Sequence, residues 1–240
     1  MGRVALVTGG TRGIGEACCK ALKKAGYKVA ASYAGNDDAA NASRKETGIP
    51  VFKWDVGDYQ ACEQGVIAVE NEVGPVEVLV NNAGISRDAM LQKMSSEQWE
   101  QVMRTDLDSV FNMRARVING MRERGFGRIV NISSINGQQG MLGLSNYCAA
   151  KAGMIGFTRA VALEGARKGI TANAIAPGYV ATELLSGVSE KVMEHIVGQI
   201  PVGRLGEADE VARCVVFLAA DESAWITGST LTINGGQLMD

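Results

Sequence analysis

The 240-residue sequence predicts an α/β fold built on a seven-stranded, doubly wound parallel sheet with helices on both faces. Three observations carry that expectation. Short β-branched runs alternate with longer segments of helical periodicity, which specifies βαβ units and a parallel sheet covered on both faces. A glycine-rich turn stands directly between the first strand and the first helix, where such sheets bind nucleotides. Composition is even along the chain, with no low-complexity linker, repeat or second compositional zone, so residues 1–240 are read as one domain.

In chain order, the strand Val4–Thr8 leads into a helix over Ile14–Ala25, with Gly26 placed to end it. Lys28–Tyr33 precedes a helix over Asp37–Thr47, and Val51–Trp54 precedes one over Tyr59–Glu72. Val76–Asn81 is followed by a long helix near Ser96–Glu123, which Ser95 and Gln98 open as a capping box. Then come Arg128–Ser133, a helix near Asn146–Arg167, Thr171–Ala176, a helix around Asp209–Ala219 and the strand Thr230–Asn234. Right-handed crossovers between these strands leave a Rossmann-type order as the natural solution. Tyr179–Pro201 is the loosest stretch and reads as a flap over the rim where ligands bind.

Charge narrows the function. With 24 basic and 26 acidic residues the net charge is -2, so neither nucleic acid nor an anionic membrane is the expected partner, and a small molecule is. Five cysteines, Cys18, Cys19, Cys62, Cys148 and Cys214, contain no CxxC pair and fit reduced thiols better than disulfides or zinc. No apolar stretch of about 18 residues is present to span a bilayer, and the N-terminus enters the first strand without a charged-then-apolar leader, so a cytoplasmic protein is expected. His195 is the single histidine, which excludes a multi-histidine metal site; it is read as a surface helix residue and no metal is expected.

The turn reads Thr8-Gly9-Gly10-Thr11-Arg12-Gly13-Ile14-Gly15. Glycines here let backbone approach a pyrophosphate, and the helix start offers unpaired N–H groups. An NAD-selective site ends strand two with a carboxylate for the ribose 2′-OH, whereas this one ends Ala31-Ser32-Tyr33-Ala34. Arg12 is the charge in the turn able to pair a 2′-phosphate, so NADPH/NADP+ is favoured over NADH, although Asp37 and Asp38 lie slightly downstream. Asp55-Val56 after strand three and Asn82-Ala83-Gly84 after strand four fall on the same carboxyl-end rim.

Tyr147 and Lys151 are four positions apart on a predicted helix and therefore share a face. A free tyrosine gives up its proton only near pH ~10, and a nearby ammonium stabilises the phenolate, which suits proton transfer at neutral pH. Ser134, at the end of a strand, is placed to hydrogen-bond a substrate carbonyl. Tyr-x-x-x-Lys alone is common on helix surfaces; its conjunction with Ser134 and the nucleotide turn makes it a catalytic set.

Thr8–Gly15, Asn82-Ala83-Gly84, Ser134, Tyr147–Lys151 and Pro177-Gly178 together resemble the short-chain dehydrogenase/reductase family over the whole chain. The resemblance implies hydride transfer between nicotinamide and a carbonyl carbon, with Tyr147 as proton donor and Lys151 also holding the nicotinamide ribose. It further implies that Pro177–Thr182, with Gly178, Val180 and Thr182, contacts the nicotinamide amide. One departure stands out: the family usually has asparagine in the long central helix, and this chain has Asp106. Either the added charge near Lys151 rearranges the proton relay and lowers activity, or the position acts through its backbone carbonyl, which aspartate keeps.

Within the family the sequence most resembles acetoacetyl-CoA reductases of polyhydroxybutyrate synthesis and their relatives, the 3-oxoacyl-[acyl-carrier-protein] reductases. The stretches carrying this are Tyr27–Asp38, Lys53–Val56, Gly84–Asp88, Phe126–Gln138 and Ile200–Gly206. The resemblance implies that Asp88, Lys93 and Tyr179 bind substrate, with Met141, Leu142 and Leu144 on the same wall. Met141 and Leu144 stand where that subgroup has glutamines, so bulkier, more hydrophobic ketones or β-ketoesters are an alternative substrate. Arg122, Arg124, Arg167 and Lys168 are a possible landing patch for a carrier protein, and an NADP(H)-binding subunit with impaired catalysis is the reading from a different class. The resemblance also implies a homotetramer, for which the apolar helices around Val110–Val117 and Met154–Ala162 give slight independent support.

Overall fold

The computed structural model describes residues 2–183, 187 and 189–239. Seven strands form one sheet in the order β3-β2-β1-β4-β5-β6-β7, every neighbouring pair parallel. They are β1 Val4–Thr8, β2 Lys28–Tyr33, β3 Val51–Lys53, β4 Val76–Asn81, β5 Gly127–Ile132, β6 Ile170–Pro177 and β7 Thr230–Ile233. The order reverses between β1 and β4. In a doubly wound sheet the crevice at that reversal is where ligands bind, beyond the carboxyl ends of the strands.

The central strands are buried throughout, which is why β1 reads as a near-continuous apolar run, whereas β5 and β6 also bury the polar side chains Arg128, Asn131, Thr171 and Asn173. On one face, α1 (Gly13–Lys24) and α8 (Ala208–Ala219) pack Cys18, Leu22, Val211, Val215 and Leu218 onto the sheet. On the other, α3 (Tyr59–Glu72), α5 (Ser109–Arg124) and α6 (Ser145–Gly165) supply Val66, Met113, Val117 and Val161. Each large apolar side chain so buried contributes about 1.5–3 kcal/mol. The helix α2 (Asp37–Thr47) covers the β3 edge and starts at Asn36, whose side chain accepts from the Ala39 N–H.

The expected capping box is present: Ser95 Oγ accepts from Gln98 N at 3.1 Å and Gln98 Oε1 from Ser95 N at 3.0 Å. The helix it opens is not the continuous one expected over 96–123. It divides into α4 (Ser96–Val102), a π-helical segment over Met103–Asp108, and α5. The wider π turn changes which residues face inward, and Asp106 lies in it, fully buried. A charge on an otherwise ordinary amphipathic stretch hides that irregularity from periodicity alone.

Smaller boundary differences follow from local geometry. Trp54 lies just past β3, yet its N–H still donates to Tyr33 O at 2.9 Å. Within the expected flap Tyr179–Pro201, residues 184–186 and 188 lie outside the described residues, and Glu190–Gly198 form a helix, α7, that buries Ile196. The start of the stretch is tied down, because Ala181 N–H donates to Gly206 O and Gly206 N–H to Tyr179 O. His195 on α7 is exposed beside Gln199. Among the described residues no helix is long and apolar enough to cross a membrane, and no group of residues could hold a metal ion. All five cysteines are free.

Candidate active site

The glycine-rich turn closes against the loop after β4. Thr8 Oγ1 accepts from Asn82 N and Ala83 N at 3.0 and 3.1 Å, while Asn82 Nδ2 donates to Thr8 O and Gly9 O. Gly15 is required by contact: a Cβ there would lie 2.1 Å from Gly9 O. The chain therefore bends back on itself as tightly as backbone permits, and the first-turn N–H groups of α1 have no intrahelical acceptor. A concave turn of this kind fits a pyrophosphate, with Gly9, Arg12, Gly13 and Gly15 as its wall. Ile14 is partly buried and packs on the core, and Thr182 comes over Gly13 from the opposite side. Val180 is itself buried in the core, so the side it offers a ligand is backbone. Gly178 is pinned by its N–H to Ile233 O at 2.9 Å, which fixes the exit from Pro177 at the end of β6.

Asp55 sits on the same rim with both carboxylate oxygens engaged, Oδ1 by the Gly57 N–H and Oδ2 by Arg104 at 2.7 Å. Val56 is buried, and its carbonyl accepts from Asn112 Nδ2. The loop over Asp55-Val56 is thus held rigid from two sides before any ligand arrives.

Tyr147 and Lys151 lie on α6 with the Lys151 ammonium 5.5 Å from the centre of the Tyr147 ring. Tyr147 is partly exposed, whereas Lys151 is buried. Lys151 Nζ donates to Ile132 O at 3.1 Å and lies 3.1 Å from Asp106 Oδ2. The other carboxylate oxygen, Oδ1, accepts from Ile85 N at 2.8 Å. Gly84 makes this possible, since a Cβ there would come within 2.7 Å of Asp106 Oδ2 and 3.3 Å of Lys151 Nζ. The loop after β4, the π segment and α6 therefore converge on one buried ion pair.

Burial pushes the Asp106 carboxyl above its ordinary range, and the Lys151 charge and the Ile85 N–H offset that only in part. Burial alone would draw Lys151 down, but the neighbouring Asp106 carboxylate outweighs it and holds the ammonium. Asp106 thus acts through its side chain, on Lys151 and on the Ile85 backbone, in addition to anything its carbonyl contributes.

Ser134 ends the path out of β5 and accepts from Asn136 N at 3.1 Å, opening the short 3-10 turn Ile135–Gly137. Its neighbour Ser133 donates to Lys151 O at 2.9 Å, which seats this turn on α6. Ser134 is buried. The candidate site thus brings together a tyrosine–lysine pair suited to acid/base chemistry, a hydroxyl on the adjoining turn and a concave glycine turn that fits a pyrophosphate.

The candidate substrate wall forms from two loops. Ala89 N–H donates to Gly143 O at 2.9 Å, joining the Asp88–Lys93 stretch to Met141–Leu144. Asp88 accepts from Ser86 Oγ, and Lys93 is exposed on a 3-10 turn. Met90, Leu91, Met141 and Leu142 are all exposed along this lip, and Tyr179 is partly buried. Leu144 is the residue before α6, half-buried, and its carbonyl accepts from Cys148 N.

Sequence reading missed Asn146, whose role depends on contacts 48 and 59 positions away. Fully buried, it donates to Arg87 O and Gln98 O and accepts from Tyr147 N at 2.8 Å. It is the bolt between the tyrosine's helix and the loop of Arg87 that leads into the candidate substrate wall. A buried chain from Asn81 to Asn131 to Thr158 likewise joins β4, β5 and α6 beneath the site. The basic residues considered as a carrier-protein patch lie elsewhere. Arg124 donates to Val76 O at the start of β4, Arg122 to Glu164 O near the end of α6, and Arg167 and Lys168 precede β6. These are the amino ends of the strands, opposite the rim that carries Tyr147.

A family model described as enoyl-(acyl carrier protein) reductase matches residues 9–237. An acetoacetyl-CoA reductase of Rhizobium meliloti is 65% identical over 99% of both chains, and one of Paracoccus denitrificans 61% over 99% of both. A 3-oxoacyl-[acyl-carrier-protein] reductase of Haemophilus influenzae is 41% identical over 98% of both. With a parallel sheet reversed at β1/β4, a glycine cradle and Tyr147 four residues before a buried lysine, the chain belongs to the short-chain dehydrogenase/reductase family and is an oxidoreductase.

Proposed function

We propose that the protein is an NADPH-dependent acetoacetyl-CoA reductase that forms 3-hydroxybutyryl-CoA. The observation that carries this reading is 61–65% identity, over nearly the full chain, to proteins named acetoacetyl-CoA reductase. The nicotinamide ring, when bound, supplies the hydride to the carbonyl carbon. Tyr147 gives its phenolic proton to the carbonyl oxygen, and Ser134 donates a hydrogen bond to the same oxygen. Lys151 stabilises the phenolate left behind, which takes a new proton from solvent. Gly9, Arg12, Gly13, Ile14, Gly15, Asp55, Val56, Asn82, Ala83, Gly84, Pro177, Gly178, Val180 and Thr182 hold the dinucleotide, with Arg12 selecting NADPH.

Asp88, Lys93, Tyr179 and the Met141–Leu144 turn meet the acyl thioester. A second reading has one observation in its favour: the exposed lip of Met90, Leu91, Met141 and Leu142 suits a larger, more hydrophobic ketone or β-ketoester. Comparing kcat/KM for acetoacetyl-CoA, a carrier-linked β-ketoacyl ester and a free β-ketoester tests the assignment, with the CoA ester expected to lead. Reduction by Tyr147 and Lys151 also sets this reading against a purely NADP(H)-binding subunit, which would turn over none of them. The assembly we propose is a homotetramer, supported by the exposed apolar side chains Phe111, Leu163 and Trp225 on helical and C-terminal surfaces. Light scattering in solution checks the assembly directly.

A further inference from the structure

Arg12 is not the sole cation near the end of β2. Gly10 N–H donates to Ser32 O at 3.0 Å, so the glycine turn is stapled to the last residues of that strand. On its other side β2 pairs with β3, in a register that sets Tyr33 opposite Lys53. Lys53 Nζ reaches across and bonds both carboxylate oxygens of Asp37 at 2.9 Å, while the Tyr33 hydroxyl donates to Asp37 Oδ1 at 3.0 Å. Lys53 lies about half exposed, as does Asp37. One strand end thus carries a hydroxyl, a carboxylate and an ammonium in contact with one another, at the place where a doubly wound sheet reads the adenosine ribose.

We infer that Lys53 is a second, specificity-determining cation for the 2′-phosphate of NADPH, held in reserve by Asp37 until the dinucleotide binds. This rests on the NADP(H) reading above. An exposed lysine–carboxylate pair is weak and screened by solvent, so exchange of Asp37 for a phosphate bearing close to two negative charges is favourable. Tyr33 keeps its hydroxyl near Asp37 during the exchange, so the carboxylate is not left unbonded. For a cofactor with a free 2′-OH there is nothing to release Lys53, and Asp37 remains engaged instead of accepting from the ribose. The same three residues therefore favour phosphate twice, by supplying a cation and by occupying the carboxylate that would select NADH.

The test is direct binding, read by fluorescence titration of NADPH and NADH and by calorimetry with the fragments 2′,5′-ADP and 5′-AMP. The full-length protein and its Lys53→Gln, Asp37→Asn and Arg12→Gln variants are compared at low and high salt. Lys53→Gln weakens NADPH and 2′,5′-ADP about tenfold while NADH and 5′-AMP change less than about twofold. Asp37→Asn frees the lysine and tightens NADPH roughly threefold, and added salt erodes both effects. If the wild type prefers NADPH and only Arg12→Gln weakens it, the role of Lys53 is overturned while the NADPH reading stands. If the wild type prefers NADH, both fail together. Unchanged melting temperatures confirm that the variants, all at exposed side chains, report on binding.

Discussion

Lys151 Nζ lies 3.1 Å from Asp106 Oδ2, and both side chains are buried beneath the partly exposed Tyr147 ring. The lysine that the proposed mechanism places behind Tyr147 is therefore already paired with a carboxylate. The Asp106 charge offsets the burial of Lys151 and holds its ammonium, which links the pair to pH.

Replacing Asp106 with asparagine keeps an acceptor for the Ile85 N–H and removes the negative charge. With the carboxylate gone, burial of Lys151 loses the charge that most opposes it, so the ammonium is lost at lower pH than in the wild type. The alkaline decline of ketone reduction accordingly begins at lower pH. The sign follows from removing an anion beside a buried cation. An unmoved profile for Asp106→Asn would show that the pair is structural only.

Gly84→Ala tests the convergence itself. The new methyl meets Asp106 Oδ2 and Lys151 Nζ, neither of which has free space to retreat into. The expected result is a loss of about 1–3 kcal/mol of stability and a fall in kcat of tenfold or more, since displaced catalytic groups lose rate steeply. Denaturant melts and steady-state kinetics check both.

Asn146→Ala leaves the Arg87 and Gln98 carbonyls without their partner and unpins the start of α6. Destabilisation of about 2–3 kcal/mol follows, a fall in Tm of roughly 5–10 °C. Because Arg87 adjoins Asp88, kcat/KM for the thioester should fall more than NADPH binding does. Equal losses in both would place Asn146 in general stability rather than in site assembly.

The double substitution Met141→Gln, Leu144→Gln restores amides to the lip. Turnover of acetoacetyl-CoA relative to a hydrophobic β-ketoester should rise by about tenfold, because hydrogen bonds to a polar substrate discriminate more sharply than apolar contact. A ratio that does not change would remove these two positions from substrate selection.

The sheet, the glycine cradle and the Tyr147–Lys151 spacing were legible because each is a local pattern: period-two or buried apolar runs, a glycine turn between strand and helix, and four residues on one helical face. What escaped the sequence is non-local. The π segment around Asp106 leaves no signature in periodicity, and its carboxylate finds Lys151 only through the fold. Asn146 reads as an ordinary polar residue until the Arg87 loop is placed beside it. Lys53 was invisible as a companion of Arg12 because strand register, not sequence distance, puts it beside Tyr33. The basic residues at 122, 124, 167 and 168 formed a patch on paper, and the strand direction sets them at the end away from the rim.

In the proposed reaction Tyr147 protonates the ketone oxygen during nicotinamide-dependent reduction. The decisive measurement follows NADPH oxidation at saturating acetoacetyl-CoA for the wild type and Tyr147→Phe, with NADPH binding measured alongside. Steady turnover is expected of the wild type and a loss of about 10²–10⁴-fold in kcat of the variant, with NADPH bound nearly as tightly. A Tyr147→Phe protein that still reduces acetoacetyl-CoA at the wild-type rate would remove Tyr147 from the proton transfer.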